Sequence, residues 1–92
     1  MIRSFRDRNT ERLFEGYRVR AFEGFATQAQ RRLTYLDNAE TMRDLSNLRS
    51  NRLEALAGDR AGQYSIRINQ KWRICFRWKD DGAYDVEIVD HH

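Results

Sequence analysis

Tyr64-Ser65-Ile66-Arg67-Ile68-Asn69-Gln70-Lys71-Trp72-Arg73-Ile74-Cys75-Phe76-Arg77-Trp78 is the stretch that decides the fold. Tyr64, Ile66 and Ile68 alternate with Ser65, Arg67 and Asn69. After Gln70-Lys71 the alternation resumes, with Trp72, Ile74, Phe76 and Trp78 set against Arg73, Cys75 and Arg77. A period of two is the signature of a strand with one apolar face. The break at Asn69-Gln70-Lys71 is short enough for a hairpin.

Downstream, Tyr84, Val86 and Ile88 alternate with Asp85 and Glu87, and Asp80-Asp81-Gly82 supplies a second tight connection. An antiparallel meander follows. Upstream the period changes to that of a helix. Asn9 or Thr10 is expected to cap a helix carrying Leu13, Phe14, Tyr17 and Ala21, and a second series, Phe22, Ala26, Ala29, Leu33 and Leu36, steps by helical intervals. Thr41 and Asp44 have capping-box spacing ahead of a short third helix with Met42 and Leu45, and Ile2, Ser4 and Phe5 suggest a short opening strand. The expected class is α+β, with N-terminal helices packed on one face of a small antiparallel sheet. With no proline, repeat or low-complexity run to mark a linker, residues 1–92 are expected to form one domain.

The helices are expected to cover the face formed by Tyr64, Ile66, Ile68, Trp72, Ile74, Phe76, Trp78, Val86 and Ile88. The opposite face carries Ser65, Arg67, Arg73, Arg77 and Glu87, too polar for a second core and therefore expected to meet water or a ligand. Charge is unevenly spread along the chain. Residues 49–79 hold eight basic side chains, Arg49, Arg52, Arg60, Arg67, Lys71, Arg73, Arg77 and Lys79, against Glu54 and Asp59; residues 80–90 hold five carboxylates and no basic group. Fifteen of the seventeen basic residues are Arg, the side chain that grips phosphate bidentately and stacks on bases. A polyanion such as RNA fits the basic stripe, and Arg49, Arg52, Arg60, Lys71 and Arg77 are the expected RNA-binding side chains around it.

Several classes drop out. The single Cys75 cannot close an internal disulfide, and it has no second cysteine or HxxxH spacing with which to cage zinc. Neither a metal nor another cofactor is expected. The charged N-terminus Met1-Ile2-Arg3-Ser4-Phe5-Arg6-Asp7 has no signal-peptide core, no apolar run is long enough to span a membrane, and a cytoplasmic location is expected.

Cleaving RNA through its own 2′-hydroxyl needs a base for the 2′-OH proton, positive charge on the phosphate oxygens and an acid for the leaving 5′-oxygen. Arg67 and Arg73 share the polar face on adjacent strands and could meet one phosphate, unless Glu87 or Asp85 pairs with them instead. Asp90, His91 and His92 end the chain after the last strand, and imidazole titrates near neutrality. Glu54 is a further carboxylate, read as lying in a connector. Trp72, Trp78 and Tyr64 fall on the apolar face and are expected in the core; Cys75, without a paired base, is expected to be core or spectator.

The run Leu56-Ala57-Gly58-Asp59-Arg60-Ala61-Gly62-Gln63-Tyr64-Ser65-Ile66-Arg67-Ile68-Asn69, followed by Trp72-Arg73-Ile74-Cys75-Phe76 and by Val86-Glu87-Ile88-Val89-Asp90 with a final His92, resembles the HigB branch of the RelE toxin superfamily. The opening Met1-Ile2-Arg3-Ser4-Phe5 fits as well, so the resemblance spans nearly the whole chain. It implies a RelE-like fold and a type II toxin that acts as a metal-independent, ribosome-dependent endoribonuclease on mRNA in the ribosomal A site of the 70S ribosome. A HigA-type helix-turn-helix antitoxin is implied as the partner. Carried over by position, Arg67 and Arg73 are the phosphate-binding arginines and Asp90, His91 and His92 the catalytic tail, with Glu54 where relatives place His or Glu. The family usually ends Asp-Tyr-His and some members carry Lys where this chain has Ala57, so His91, Asp90, His92 and Glu54 all stand as candidate bases. The alternatives are a non-catalytic RNA or ribosome binder and a module that docks only the antitoxin.

Overall fold

The computed structural model describes residues 1–90; His91 and His92 lie outside the described residues. Four antiparallel strands, β1 (Glu54–Ala55), β2 (Tyr64–Arg67), β3 (Trp72–Lys79) and β4 (Gly82–Asp90), follow one another across the sheet in chain order. The opening segment adds parallel bridges from Ile2 to Ala83 and from Phe5 to Val86 on the free edge of β4. Three helices, α1 (Arg8–Phe14), α2 (Ala26–Asn38) and α3 (Met42–Asn47), precede the sheet, with a 3-10 turn over Arg20–Phe25 leading into α2.

The helices begin and end for identifiable reasons. Asp7, not Asn9 or Thr10, caps α1, its carboxylate accepting from the Thr10 amide at 3.0 Å. Thr10 is fully buried instead and its hydroxyl accepts from the Ile88 amide at 3.0 Å, tying α1 to β4. The helix stops before Gly16, which adopts φ +98°, so Tyr17 lies beyond α1 and is exposed. Around α3 the Thr41–Asp44 capping box forms as the spacing predicts. The Glu40 and Thr41 amides, both donating to its carboxylate, hold the Asp44 carboxyl below its ordinary range.

Leu13, Leu33 and Leu36 of α1 and α2 pack against Ile66, Ile74, Phe76, Val86 and Ile88 of the sheet, all nearly or completely buried. Trp72 closes the end of this core, stacked on Phe25 with ring centroids 4.8 Å apart. Strict alternation fails in one place. The β3–β4 register shifts between Cys75, opposite Glu87, and Arg77, opposite Tyr84, and Asp85 takes φ +53° there. This bulge puts both Ala83 and Val86 into the core although they are three residues apart. Tyr84 consequently shares a register position with Arg77 rather than the parity of Val86 and Ile88; its hydroxyl donates to Asp81 at 2.7 Å. No helix among the described residues is long and apolar enough to cross a membrane.

Candidate phosphate-binding cavity

The sheet face away from the helices is less open than its polar residues suggest. Ser65, Arg73 and Cys75, on neighbouring register positions of β2 and β3, are 0%, 6% and 3% exposed. The cover comes from the segment between α3 and β2. Glu54, expected in a connector, lies on the edge strand β1 opposite Ser65, and the chain reaches β1 through Arg52 in a left-handed conformation at φ +46°.

That segment fixes Arg73. Its Nε donates to Ser65 Oγ at 2.9 Å, its Nη2 donates to the Arg52 carbonyl at 3.1 Å, and Glu54 Oε1 lies 3.4 Å from Nη2. A buried guanidinium is tolerable only when paired and hydrogen-bonded. None of these contacts uses Nη1. Arg67 sits directly opposite Arg73 in the β2–β3 register, an arrangement of like charges that costs stability unless each finds other partners. Arg67 resolves it by donating from Nε to the Asn69 carbonyl at 3.0 Å. Glu87 and Asp85 take neither arginine: Glu87 lies 3.3 Å from Arg6 Nε and 3.4 Å from Arg60 Nη1, and Asp85 lies 3.7 Å from Arg77 Nε.

Above this floor is a cavity of about 310 Å³, lined among the described residues by Leu56, Arg60, Ser65, Arg73, Cys75, Val89 and Asp90. Of the sequence-expected residues it gathers Arg60, Arg73 and Asp90. Asp90 ends β4 opposite Trp72, with Lys71 Nζ 3.6 Å from its Oδ2. Glu54 joins through its ion pair with Arg73. Arg49, Arg52, Lys71 and Arg77 are exposed and are not among the described residues that line the cavity. Leu56, Val89 and the buried Ser65 hydroxyl are parts of the site that alternation alone does not distinguish from ordinary strand positions. Burial pushes the Cys75 thiol above its ordinary value; Arg60 opposes that shift and Glu87 adds to it. No group of three or more His, Cys, Asp or Glu among the described residues is placed to hold a metal ion.

A wall of fixed guanidinium, a neighbouring carboxylate and a cleft of this size suit one phosphodiester and the atoms about it. Residues 3–92 match the family model of the RelE-like toxin of the type II toxin–antitoxin system HigB. Over its whole length the chain is 32% identical to Endoribonuclease HigB of Proteus vulgaris, which it also covers completely. It is 38% identical to Toxin HigB-1 of Vibrio cholerae over 61 residues, 66% of this chain and 64% of that one. With a sheet whose polar face carries a buried arginine and a match running from residue 3 to the last, the chain belongs to the HigB-like family of RelE-like type II toxins.

Proposed function

We propose that this toxin is a metal-independent endoribonuclease that cleaves mRNA in the A site of the 70S ribosome through attack of the 2′-hydroxyl. A type II toxin has an antitoxin partner, and a HigA-type helix-turn-helix protein is the proposed one, with the cytoplasm as the compartment where both meet the ribosome. The relative named as an endoribonuclease supports the activity. The observation that carries the reading is Arg73, a buried cation locked by Ser65, the Arg52 carbonyl and Glu54 at the wall of a cavity that Asp90 also lines.

In this mechanism a base removes the 2′-OH proton and the 2′-oxygen attacks phosphorus. The P–O5′ bond then breaks as an acid protonates the leaving 5′-oxygen, leaving a 2′,3′-cyclic phosphate. Arg73 stabilises the charge that develops on the phosphate oxygens, and it does so without reorganising because its partners already fix it. Asp90, Glu54, His91 and His92 supply the proton-transfer groups; Asp90 lines the cavity, Glu54 pairs with Arg73, and the two histidines follow Asp90 directly in the chain.

Arg73→Ala is expected to lower mRNA cleavage on translating ribosomes by roughly ten- to hundred-fold. Arg73→Lys keeps a cation but cannot reproduce the fork, so it is expected to remain impaired. Thermal unfolding of both variants separates lost chemistry from lost structure. Cleavage by a folded Arg73→Ala protein at the parent rate would remove the assignment.

A further inference from the structure

Arg73 does not stand alone at the cavity, but the second guanidinium lining it is not Arg67. Arg67 is drawn to the carbonyl of Asn69 at the β2–β3 turn, whereas Arg60, on a 3-10 turn over Gly58–Arg60, lines the cavity itself. Arg60 is also held. Its Nη1 donates to the side-chain oxygen of the buried Gln63 at 3.1 Å and to Glu87 Oε2 at 3.4 Å. Glu87 is only 15% exposed at its side chain and sits opposite Cys75 in the sheet register, so its carboxylate is itself placed by β4. On its outer side the same Oε2 meets Arg6, whose side chain is 58% exposed.

We propose that Arg60 is the second guanidinium on the scissile phosphate, and that Glu87 is the positioning residue that holds Arg60 at the cavity. This rests on the ribonuclease reading and deepens it. An arginine on a short connector has long side-chain freedom to lose, and a fixed carboxylate removes part of that freedom before substrate arrives. The carboxylate also repels phosphate, so its effect on substrate binding and on turnover should have opposite signs. Arg6 is the outer partner of Glu87 and takes no part at the phosphate.

The first measurement is steady-state cleavage by the full chain on translating ribosomes. Arg60→Ala is expected to lower kcat/KM about tenfold. Glu87→Gln is expected to lower kcat by roughly three- to tenfold without raising KM. In an Arg60→Ala background Glu87→Gln should cost nothing further, because the carboxylate acts through that arginine. Arg6→Ala should leave kcat unchanged. The second measurement is fluorescence anisotropy of a 2′-O-methyl single-stranded oligonucleotide over a salt series, in which Arg60→Ala should flatten the slope of log K against log salt by about 0.7, one phosphate contact. Parent-like kcat/KM in Arg60→Ala beside an impaired Arg73→Ala overturns the inference and spares the ribonuclease reading. An undiminished Glu87→Gln effect in the double variant, or the same loss from Arg6→Ala, overturns the positioning role. If the parent binds the oligonucleotide but cuts no RNA, the ribonuclease reading fails and the salt slope of Arg60→Ala still decides the contact. A salt slope for Arg60→Ala equal to the parent's overturns the phosphate contact, while the ribonuclease reading stands or falls on the ribosomal cleavage alone.

Discussion

Arg73 and Cys75 occupy alternate positions on one face of β3, almost equally buried, and burial acts on them in opposite ways. A buried guanidinium needs polar partners, and the fold supplies Ser65, the Arg52 carbonyl and Glu54 around it. The thiol can stay neutral, and its pKa rises because the thiolate is the form that burial penalises. A raised pKa means less thiolate at any given pH, and the thiolate is the nucleophile. Alkylation of native Cys75 by iodoacetamide at pH 8 should therefore be at least about tenfold slower than in urea-unfolded protein. Equal rates in the two states would show that the thiol is neither shielded nor shifted.

At the scale of elements, the tightest junction is between the opening segment and the start of β4. Gly82 has φ +138°, and a Cβ built on it collides with the backbone carbonyl of Met1, while the Arg3 amide donates to the Ala83 carbonyl at 2.7 Å alongside. Gly82→Ala should destabilise by about 1–3 kcal/mol in urea unfolding. Gly24, whose added Cβ meets nothing within 4 Å, is the control, with an expected change near zero or slightly stabilising. Equal midpoints for the two variants would show that the junction is not tight. The elements that carry a repeating pattern or a cap were legible: β2 and β3 from alternation, α2 from its 3–4 stepping, α3 from the Thr41–Asp44 box. β1 was not, because two residues carry no period, and its loss moved Glu54 into a connector. The bulge at Asp85 was not, because φ +53° at a non-glycine residue is imposed by packing and by its amide donating to Ser4 Oγ at 2.8 Å. At the site, parity put Arg73 on the polar face and opposite Arg67, but it could not say that Arg67 turns to Asn69 while Arg60 reaches the cavity from the β1–β2 connection.

For the whole molecule the uneven charge of the sequence is largely resolved by folding. The acidic last strand lies across the basic stripe, pairing Asp90 with Lys71, Glu87 with Arg60 and Asp85 with Arg77, while Glu54 meets Arg73. The exposed large aromatics, Tyr17 and Tyr35, belong to the helical side, with Arg12 and Arg32 lying over their rings. Among the described residues that line the proposed phosphate cavity there is no aromatic side chain on which a base could stack. Naked single-stranded RNA should bind weakly and with marked salt dependence, and efficient cutting should require translating ribosomes. Rapid, specific cleavage of naked RNA at physiological salt would contradict this. The ion pairs along β4 have one more effect. Mobile counter-ions gain mixing entropy when a polyanion displaces them, whereas carboxylates fastened to the same backbone have nowhere to disperse. A chance polyanion must evict tethered competitors and gains no such entropy on the protein side, so the toxin is insulated from the bulk RNA around it by part of its own sheet.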